Sequence, residues 1–309
     1  MSDPTVVVFA PSPIVTVTVE DRAGRAELHV HAGGQGVWQA RMLASLGTSV
    51  RLCAALGGET GRLLERMIAV DGVDLRFVEC ASRNGGYVHD RREPSERVEV
   101  AAEDAAPLDR HELDALYELT LTEGLQTGTV LLSGPQSEDV VPSSLYRRLA
   151  TDLTANGVRV VADLSGERLE AAVAGGVDLL KVSDEELVAH DRAASTDVDD
   201  LLPAIEKLLE EGARRVVVSR AHEPALASDG AQLLTITPPP VGAADPRGAG
   251  DSQTAGMTAR LAADADWEDV LRTGAACGAL NVVRHGLGTG GAEAVAVLAD
   301  RVELAPLST

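Results

Sequence analysis

Between residues 104 and 219 the chain repeats one pattern: a short apolar run without alternation, followed by a stretch with helical spacing. Strand-like runs at 129–133, 158–163, 177–182 and 214–219 alternate with helical stretches near 109–123, 143–156, 167–174, 184–190 and 198–211. A strand exposed on one side would show a polar face, and these runs show none. Strands buried on both faces belong to a mostly parallel sheet with helices on either side, so the repeat restricts the chain to an α/β fold.

The flanking segments fit around that sheet. Residues 5–10 form a β-branched run that Pro11 and Pro13 interrupt. Residues 14–20 and 25–31 alternate in period two around Asp21-Arg22-Ala23-Gly24, which predicts a hairpin with Thr16, Thr18 and Glu20 on one face, wet or over a ligand. From Gly36 the apolar positions take helical spacing up to Gly47, followed by a strand at 50–56 and a helix at 59–70. Short strands at 75–79, 86–90 and 97–101 are expected to return to the hairpin. After Pro238-Pro239-Pro240, helices are predicted at 252–261 and 267–284, the second apolar enough to be buried on most sides. With no internal repeat or linker in view, residues 1–309 are expected to form one domain.

Composition narrows the function classes. The 309 residues carry 27 Lys+Arg against 48 Asp+Glu, a net charge of −21 that disfavours nucleic acid and anionic membranes as partners. No stretch of about 18 apolar residues predicts a membrane span. The opening residues lack a cationic leader and apolar core, so the expected location is cytoplasmic. Cys53, Cys80 and Cys277 lie far apart, which suggests neither a disulfide framework nor a thiolate zinc site.

Gly248-Ala249-Gly250-Asp251-Ser252, between a proline-rich loop and a helix, is the strongest local signal. Glycines at a helix start let backbone amides converge on an anion, aided by the helix dipole. An acidic residue there would oppose a bound phosphate unless it accepts a proton from an attacking hydroxyl. Asp251 as a plain helix cap is the other reading of the same five residues.

Gly33-Gly34-Gln35-Gly36, Leu132-Ser133-Gly134, Asp163-Leu164-Ser165-Gly166-Glu167, Lys181 with Ser183-Asp184-Glu185-Glu186, residues 216–219 and residues 248–252 occur in a characteristic order. In that order and spacing the sequence resembles the PfkB/ribokinase family of carbohydrate kinases from about residue 6 to 304, with most similarity to its 1-phosphofructokinase and tagatose-6-phosphate kinase branch. The resemblance implies a three-layer α/β/α ribokinase-like fold with a mostly parallel central sheet and a small, discontinuous β lid from about 13–32 and 77–102. It also implies ATP with Mg2+, and transfer of a phosphoryl group to a hydroxyl of a sugar, sugar phosphate or sugar derivative.

By the same resemblance Asp251 is the catalytic base, and Gly248, Ala249 and Gly250 form the anion hole. Lys181, Ser183, Ser219, Arg247, Gly248 and Gly250 fall on the nucleotide side, while Asp163 and Glu186 match acidic positions associated with magnesium and its waters. Gly33, Gly34, Gln35, Trp38, Arg83 and Asp251 fall on the acceptor side. A structural salt bridge is the alternative for Lys181, and a solvated side chain is the alternative for Arg247.

The departures cluster on the acceptor side. The family's Asn-Pro-Ser-Ile-Asp reads Ala10-Pro11-Ser12-Pro13-Ile14, which lacks the sugar-gripping carboxylate. Gly-Gly-Lys-Gly-x-Asn has Gln35 for the lysine and Trp38 for the asparagine, and Thr-Arg-x-Asn survives only as Ser82-Arg83-Asn84-Gly85. On the nucleotide side Ser183 replaces the asparagine of Asn-x-x-Glu, and Asp245-Pro246-Arg247 precedes the anion hole in place of the commoner Asp/Asn-Thr-x. An atypical acceptor is therefore expected. A catalytically silent nucleotide- or metabolite-binding member, or a nucleoside kinase with Trp38 against the base, are the alternatives. Exposed lid edges make a homodimer through the lid an expectation as well.

Weaker signals lead nowhere further. His29 and His31 share a strand face without a third ligand. Residues 286–291 are glycine-rich but follow a helix, the wrong context for a dinucleotide loop, and no Gly-x4-Gly-Lys-Ser/Thr occurs. Arg91, Arg92, Glu93 and Glu96 read as a solvated face, and Cys277 and Asn281 as helix packing.

Overall fold

Alternate side chains of the strand Thr5–Phe9 (β1) enter opposite cores: Val6 and Val8 join one buried cluster, Val7 and Phe9 the other. Burial on both faces makes β1 a central strand, as its unbroken apolar sequence dictates. The computed structural model describes residues 4–307 apart from 71, 94–97, 243–246, 284–287 and 289. Asp245, Pro246, Glu96, Arg97 and half of the 286–291 glycine run lie outside the described residues, as do residues 1–3.

After β1 the chain forms Ile14–Arg22 (β2), Arg25–Gly33 (β3), Gln35–Ser45 (α1), Ser49–Gly57 (β4), Gly58–Val70 (α2), Asp74–Cys80 (β5), Gly86–Arg91 (β6) and Val98–Glu103 (β7). Alternation follows, with Arg110–Thr127 (α3), Thr129–Ser133 (β8), Ser143–Ala155 (α4), Arg159–Asp163 (β9), Gly166–Gly175 (α5), Leu179–Ser183 (β10), Asp184–Ala189 (α6), Val198–Glu211 (α7) and Val216–Ser219 (β11). The C-terminal part adds Ala225–Ser228 (β12), Leu233–Thr237 (β13), Ala249–Ala262 (α8), Trp267–Val282 (α9), Ala292–Ala299 (α10) and Glu303–Pro306 (β14).

Ten strands form the large sheet in the order β14-β13-β12-β11-β10-β9-β8-β1-β4-β5. From β5 to β11 all neighbours are parallel, while β12, β13 and β14 add on antiparallel. Helices α1, α2, α8, α9 and α10 cover one face, and α3, α4, α5, α6 and α7 cover the other. The chain runs from β1 outward to β4 and β5, then returns to the other side at β8. Such a reversal opens a crevice at the carboxyl ends of β1 and β8, where ligands settle in open α/β sheets.

A second sheet, β3-β2-β6-β7, stands apart. Its register puts Thr16 and Thr18 beside His31, His29, Tyr87 and His89 on one face, and Val17 and Val19 beside Val30, Leu28 and Val88 on the other. The segment expected in the lid from residue 77 moves: β5 pairs in parallel with β4 and belongs to the large sheet, and the small sheet takes up at Gly86. An edge strand with one wet face has the same alternation as a lid strand, so the pattern could not separate them.

Asn84 fastens the small sheet to the large one. Its amide donates to the carbonyls of Pro13 and Ala55 at 3.0 Å each, and its oxygen accepts from the Gly57 amide at 2.9 Å. The two points where the chain crosses into the small sheet, before β2 and before β6, are thus held against the end of β4. Nearby, Glu112 of α3 is buried, but donors at Ala81, Ser82 and Asp109 outweigh that burial and keep its carboxyl below the ordinary range.

Candidate active site

Helix α8 begins at Ala249, three residues before the expected start. Gly248 takes the left-handed conformation (φ 68°), which glycine adopts without penalty, and serves as the N-cap. The first intrahelical bond runs from the Ser252 amide to the Gly248 carbonyl at 2.9 Å. The amides of Ala249, Gly250 and Asp251 therefore lie in a first turn that offers them no intrahelical acceptor. Asp251 sits within that turn rather than ahead of it.

The carboxyl ends of the parallel strands bring the other groups alongside. Register aligns Ser133 with Asp163, Asp163 with Lys181, and Ser183 with Ser219, across β8, β9, β10 and β11. Asp163 is buried, and its Oδ2 accepts from Gln39 Nε2 at 2.9 Å and Thr254 Oγ1 at 2.7 Å, while Lys181 Nζ lies 3.4 Å from its Oδ1. A methyl group on Gly250 would sit 2.6 Å from Lys181 Nζ, so the ammonium lies directly beneath the first turn of α8.

The electrostatics follow from this crowding. Burial works against the Lys181 charge, but Asp163, Glu186 and Asp251 outweigh it and hold the ammonium above its usual range. Burial, reinforced by the Glu186 charge, pushes the Asp163 carboxyl up against the pull of Lys181 and Thr254. Burial and the charge of Asp163 push Asp251 up to about 7, against the opposing effects of Lys181 and a hydrogen bond from Gln35. A carboxyl there changes protonation close to neutral pH, as a general base requires.

Ser183 and Glu186 close a capping box on α6: Glu186 Oε2 accepts from the Ser183 amide and hydroxyl, both at 2.8 Å. This leaves the other Glu186 oxygen for a metal-bound water. Asp163 has its oxygens turned to protein donors, so the donor set fits a hydrated magnesium at Glu186 and does not fit direct coordination by Asp163. Among the described residues no group of three or more His, Cys, Asp or Glu is placed to hold a metal, and the His29 and His31 rings simply stack 6.2 Å apart.

On the acceptor side Gly34 caps α1 at φ 102°, and Gly34, Gln35 and Gly36 line a cleft with Ala10, Ser12, Pro13, Val37 and Gly134. Gly33 closes β3 against Thr16. Ile14, which stands where the family has its acidic residue, is buried. Arg83 is not brought to the cleft: its guanidinium pairs with Glu103 and is 61% exposed. The main chain of Trp38 supports Gly288, and the Arg247 carbonyl accepts from Asn281.

Four contributors went unmarked as site residues in the sequence. Gln39, Ser133 and Thr254 are neutral, and Asn281 read as packing. Asn281 in fact ties three segments together, through Arg247, Ser252 and Gly288. For Thr254 and Asn281 the available signal was a polar residue at a position where α8 and α9 are buried on nearly every side.

The sequence pattern of the pfkB family carbohydrate kinase matches residues 14–294. The chain belongs to this family. It is 32% identical over 256 residues to ATP-dependent 6-phosphofructokinase isozyme 2 of Escherichia coli strain K12, covering 82% of each chain. It is 25% identical over 259 residues to 1-phosphofructokinase of Bacillus subtilis strain 168, covering 84% of each. Phosphofructokinase-2 from E. coli in complex with potassium superposes with a TM-score of 0.85 at 27% identity, over 96% of this chain and 99% of that one. A tetrameric inhibited form of that enzyme gives 0.83. The PfkB chain is thus a carbohydrate kinase with a ribokinase-like fold, and no helix among its described residues is long and apolar enough to cross a membrane.

Proposed function

We propose that this PfkB kinase transfers the γ-phosphoryl group of ATP to a hydroxyl of a sugar or sugar derivative, with Asp251 as the base. The observation that carries this reading is the placement of Asp251 in the first turn of α8, next to amides without an intrahelical acceptor and above Lys181. Bound ATP with magnesium supplies the phosphoryl group and part of the charge neutralisation. Lys181, Ser183, Ser219, Arg247 and the first-turn amides would hold the nucleotide phosphates, with the hydrated metal at Glu186.

The chain's own groups divide the remaining work. Asp251 takes the hydroxyl proton as the acceptor's oxygen–phosphorus bond forms and the bond to the departing ADP breaks. The amides of Ala249, Gly250 and Asp251 hold the equatorial oxygens of the migrating group, and Lys181 offsets its charge. Asp163 keeps Lys181 charged and in place. The small sheet excludes water from the cleft and limits wasteful hydrolysis.

Buried Ile14 and the Arg83–Glu103 pair support an acceptor other than the usual hexose phosphate. The exposed apolar face of the small sheet, with Leu28 at 67% and Val98 at 53%, supports a homodimer through that sheet. A cytoplasmic location belongs to the same proposal. The test is titration calorimetry with ATP and magnesium, followed by a phosphorylation screen over sugars, sugar phosphates, polyols and nucleosides. Turnover of a sugar or polyol, abolished by Asp251→Asn, supports the reading. Nucleotide binding without any acceptor would mean a silent member, and turnover of nucleosides alone would mean a nucleoside kinase.

A further inference from the structure

Helices α8 and α9 approach closely because glycines line the face of α9 that meets α8. A methyl group on Gly274 would sit 3.1 Å from the Gln253 carbonyl oxygen, and one on Gly278 would sit 3.2 Å from that of Ala249. Asn281 takes the next position of the same stripe, three residues beyond Gly278. It is thereby delivered, fully buried, to the mouth of α8.

Its amide meets partners on both sides. Asn281 Oδ1 accepts from the Gly288 amide at 3.2 Å and from Ser252 Oγ at 3.1 Å, while Nδ2 donates to the Arg247 carbonyl at 2.5 Å. A backbone amide only donates and a carbonyl only accepts, so the orientation of this side chain is fixed from both ends. The consequence falls on the peptide between Arg247 and Gly248. In a planar trans peptide the C=O and N–H point opposite ways, and no peptide among the described residues is cis. With its carbonyl drawn toward α9, this peptide turns the Gly248 N–H to the other side.

Gly248 does not settle that choice by itself. Glycine takes φ of either sign at similar cost, so its φ of 68° is only one of the ways it can enter a helix. Its carbonyl is held by the Ser252 amide at 2.9 Å and belongs to the helix ladder. Its amide is oriented from outside, through Asn281.

We propose that Asn281 is a positioning residue for phosphoryl transfer: by holding the Arg247 carbonyl it aims the Gly248 N–H, together with the first-turn amides of α8, at the oxygens of the migrating group. This rests on the transfer proposed above taking place at the mouth of α8.

Arg247-Gly248 is the only Arg-Gly pair in the sequence, so protein carrying 13C at arginine carbonyls and 15N at glycine gives one NMR cross-peak that reports this peptide alone. ADP, magnesium and aluminium fluoride, a stand-in for the migrating group, are added to the wild type and to Asn281→Ala. The expected result is a cross-peak that moves in the wild type and stays in place in the variant. Turnover is measured alongside with ATP, magnesium and fructose 6-phosphate as the acceptor probe. Asn281→Ala should lower kcat about 10–100-fold with the KM for fructose 6-phosphate within about twofold, the mark of a contact made in the transition state. Asn281→Asp keeps an acceptor for Gly288 and Ser252 but donates to Arg247 only when the introduced carboxyl is protonated. Its kcat relative to wild type should therefore rise as pH is lowered from about 8 to about 6.

A wild-type cross-peak that ignores the added analogue would overturn the proposal. So would an Asn281→Ala protein that keeps both the wild-type kcat and the wild-type response. The wild-type titration needs neither a variant nor an acceptor, so it decides the matter even where a substitution prevents folding. A responding cross-peak in a protein that turns over no acceptor counts against the proposed function alone, and turnover with a silent cross-peak counts against the role of Asn281 alone.

Discussion

If Asp251 is the base proposed above, it carries two opposed tasks, and a single substitution separates them. Because its carboxyl is pushed up to about 7 from 3.8, the native state retains a proton that the unfolded chain has already released, and stability falls as pH rises through that window. Asp251→Asn should therefore raise thermal stability at pH 8 by roughly 1–2 kcal/mol while lowering kcat about 10²–10⁴-fold. Calorimetry and a coupled kinase assay on the same preparation check both signs. The wild-type rate should climb with pH through a midpoint near 7, as the base loses its proton. Lys181→Met would strand Asp163 as an uncompensated buried charge and cost about 3–5 kcal/mol. Adding Asp163→Asn should return much of that stability and none of the activity, read by urea unfolding and turnover. Asp163, Lys181, Glu186 and Asp251, which the structure brings together, were legible in the sequence because charged groups at fixed spacing stand out. Gln39 and Thr254 were not, since a neutral amide or hydroxyl shows its importance only when its surroundings are dry.

At the scale of elements, period and punctuation carried most of the reading. The strand at 129–133 and the helix at 198–211 stand where the apolar pattern placed them. The start of α8 was misread because two glycines and an acid look like loop, yet one left-handed residue at Gly248 is enough to begin the helix. Strands β12, β13 and β14 were not expected, for four or five residues such as Ala-Leu-Ala-Ser hold too little alternation to count. Packing at α1 gives a direct prediction. Gly36→Ala forces a methyl group to within 2.5 Å of Ala10 Cβ, and should cost about 1–3 kcal/mol by overpacking. Asn84→Ala removes three hydrogen bonds from buried backbone groups and should cost at least about 2 kcal/mol. Denaturant midpoints of both variants check these values.

For the whole molecule, the central α/β sheet was evident from one repeating phrase, whereas the boundary between the two sheets was not. Strand β5 has the wet-and-dry rhythm of the small sheet but the partner of the large one. Only pairing reveals that. The apolar face bearing Leu28, Val30 and Val98 gives a prediction about assembly. Leu28→Glu should convert a dimer to monomers in light scattering while the catalytic groups at the sheet ends stay intact. A wild-type protein that is already monomeric at micromolar concentration would remove the basis for pairing through that face.

The small sheet enters the chain as two separate inserts, 14–33 and 86–103, and a single asparagine buttons both to the end of β4. Under the proposed chemistry this makes choice of alcohol a transplantable cassette. Swapping the two inserts together between relatives, with the fastening asparagine kept, should retarget the enzyme in one evolutionary step while the phosphate machinery is inherited untouched.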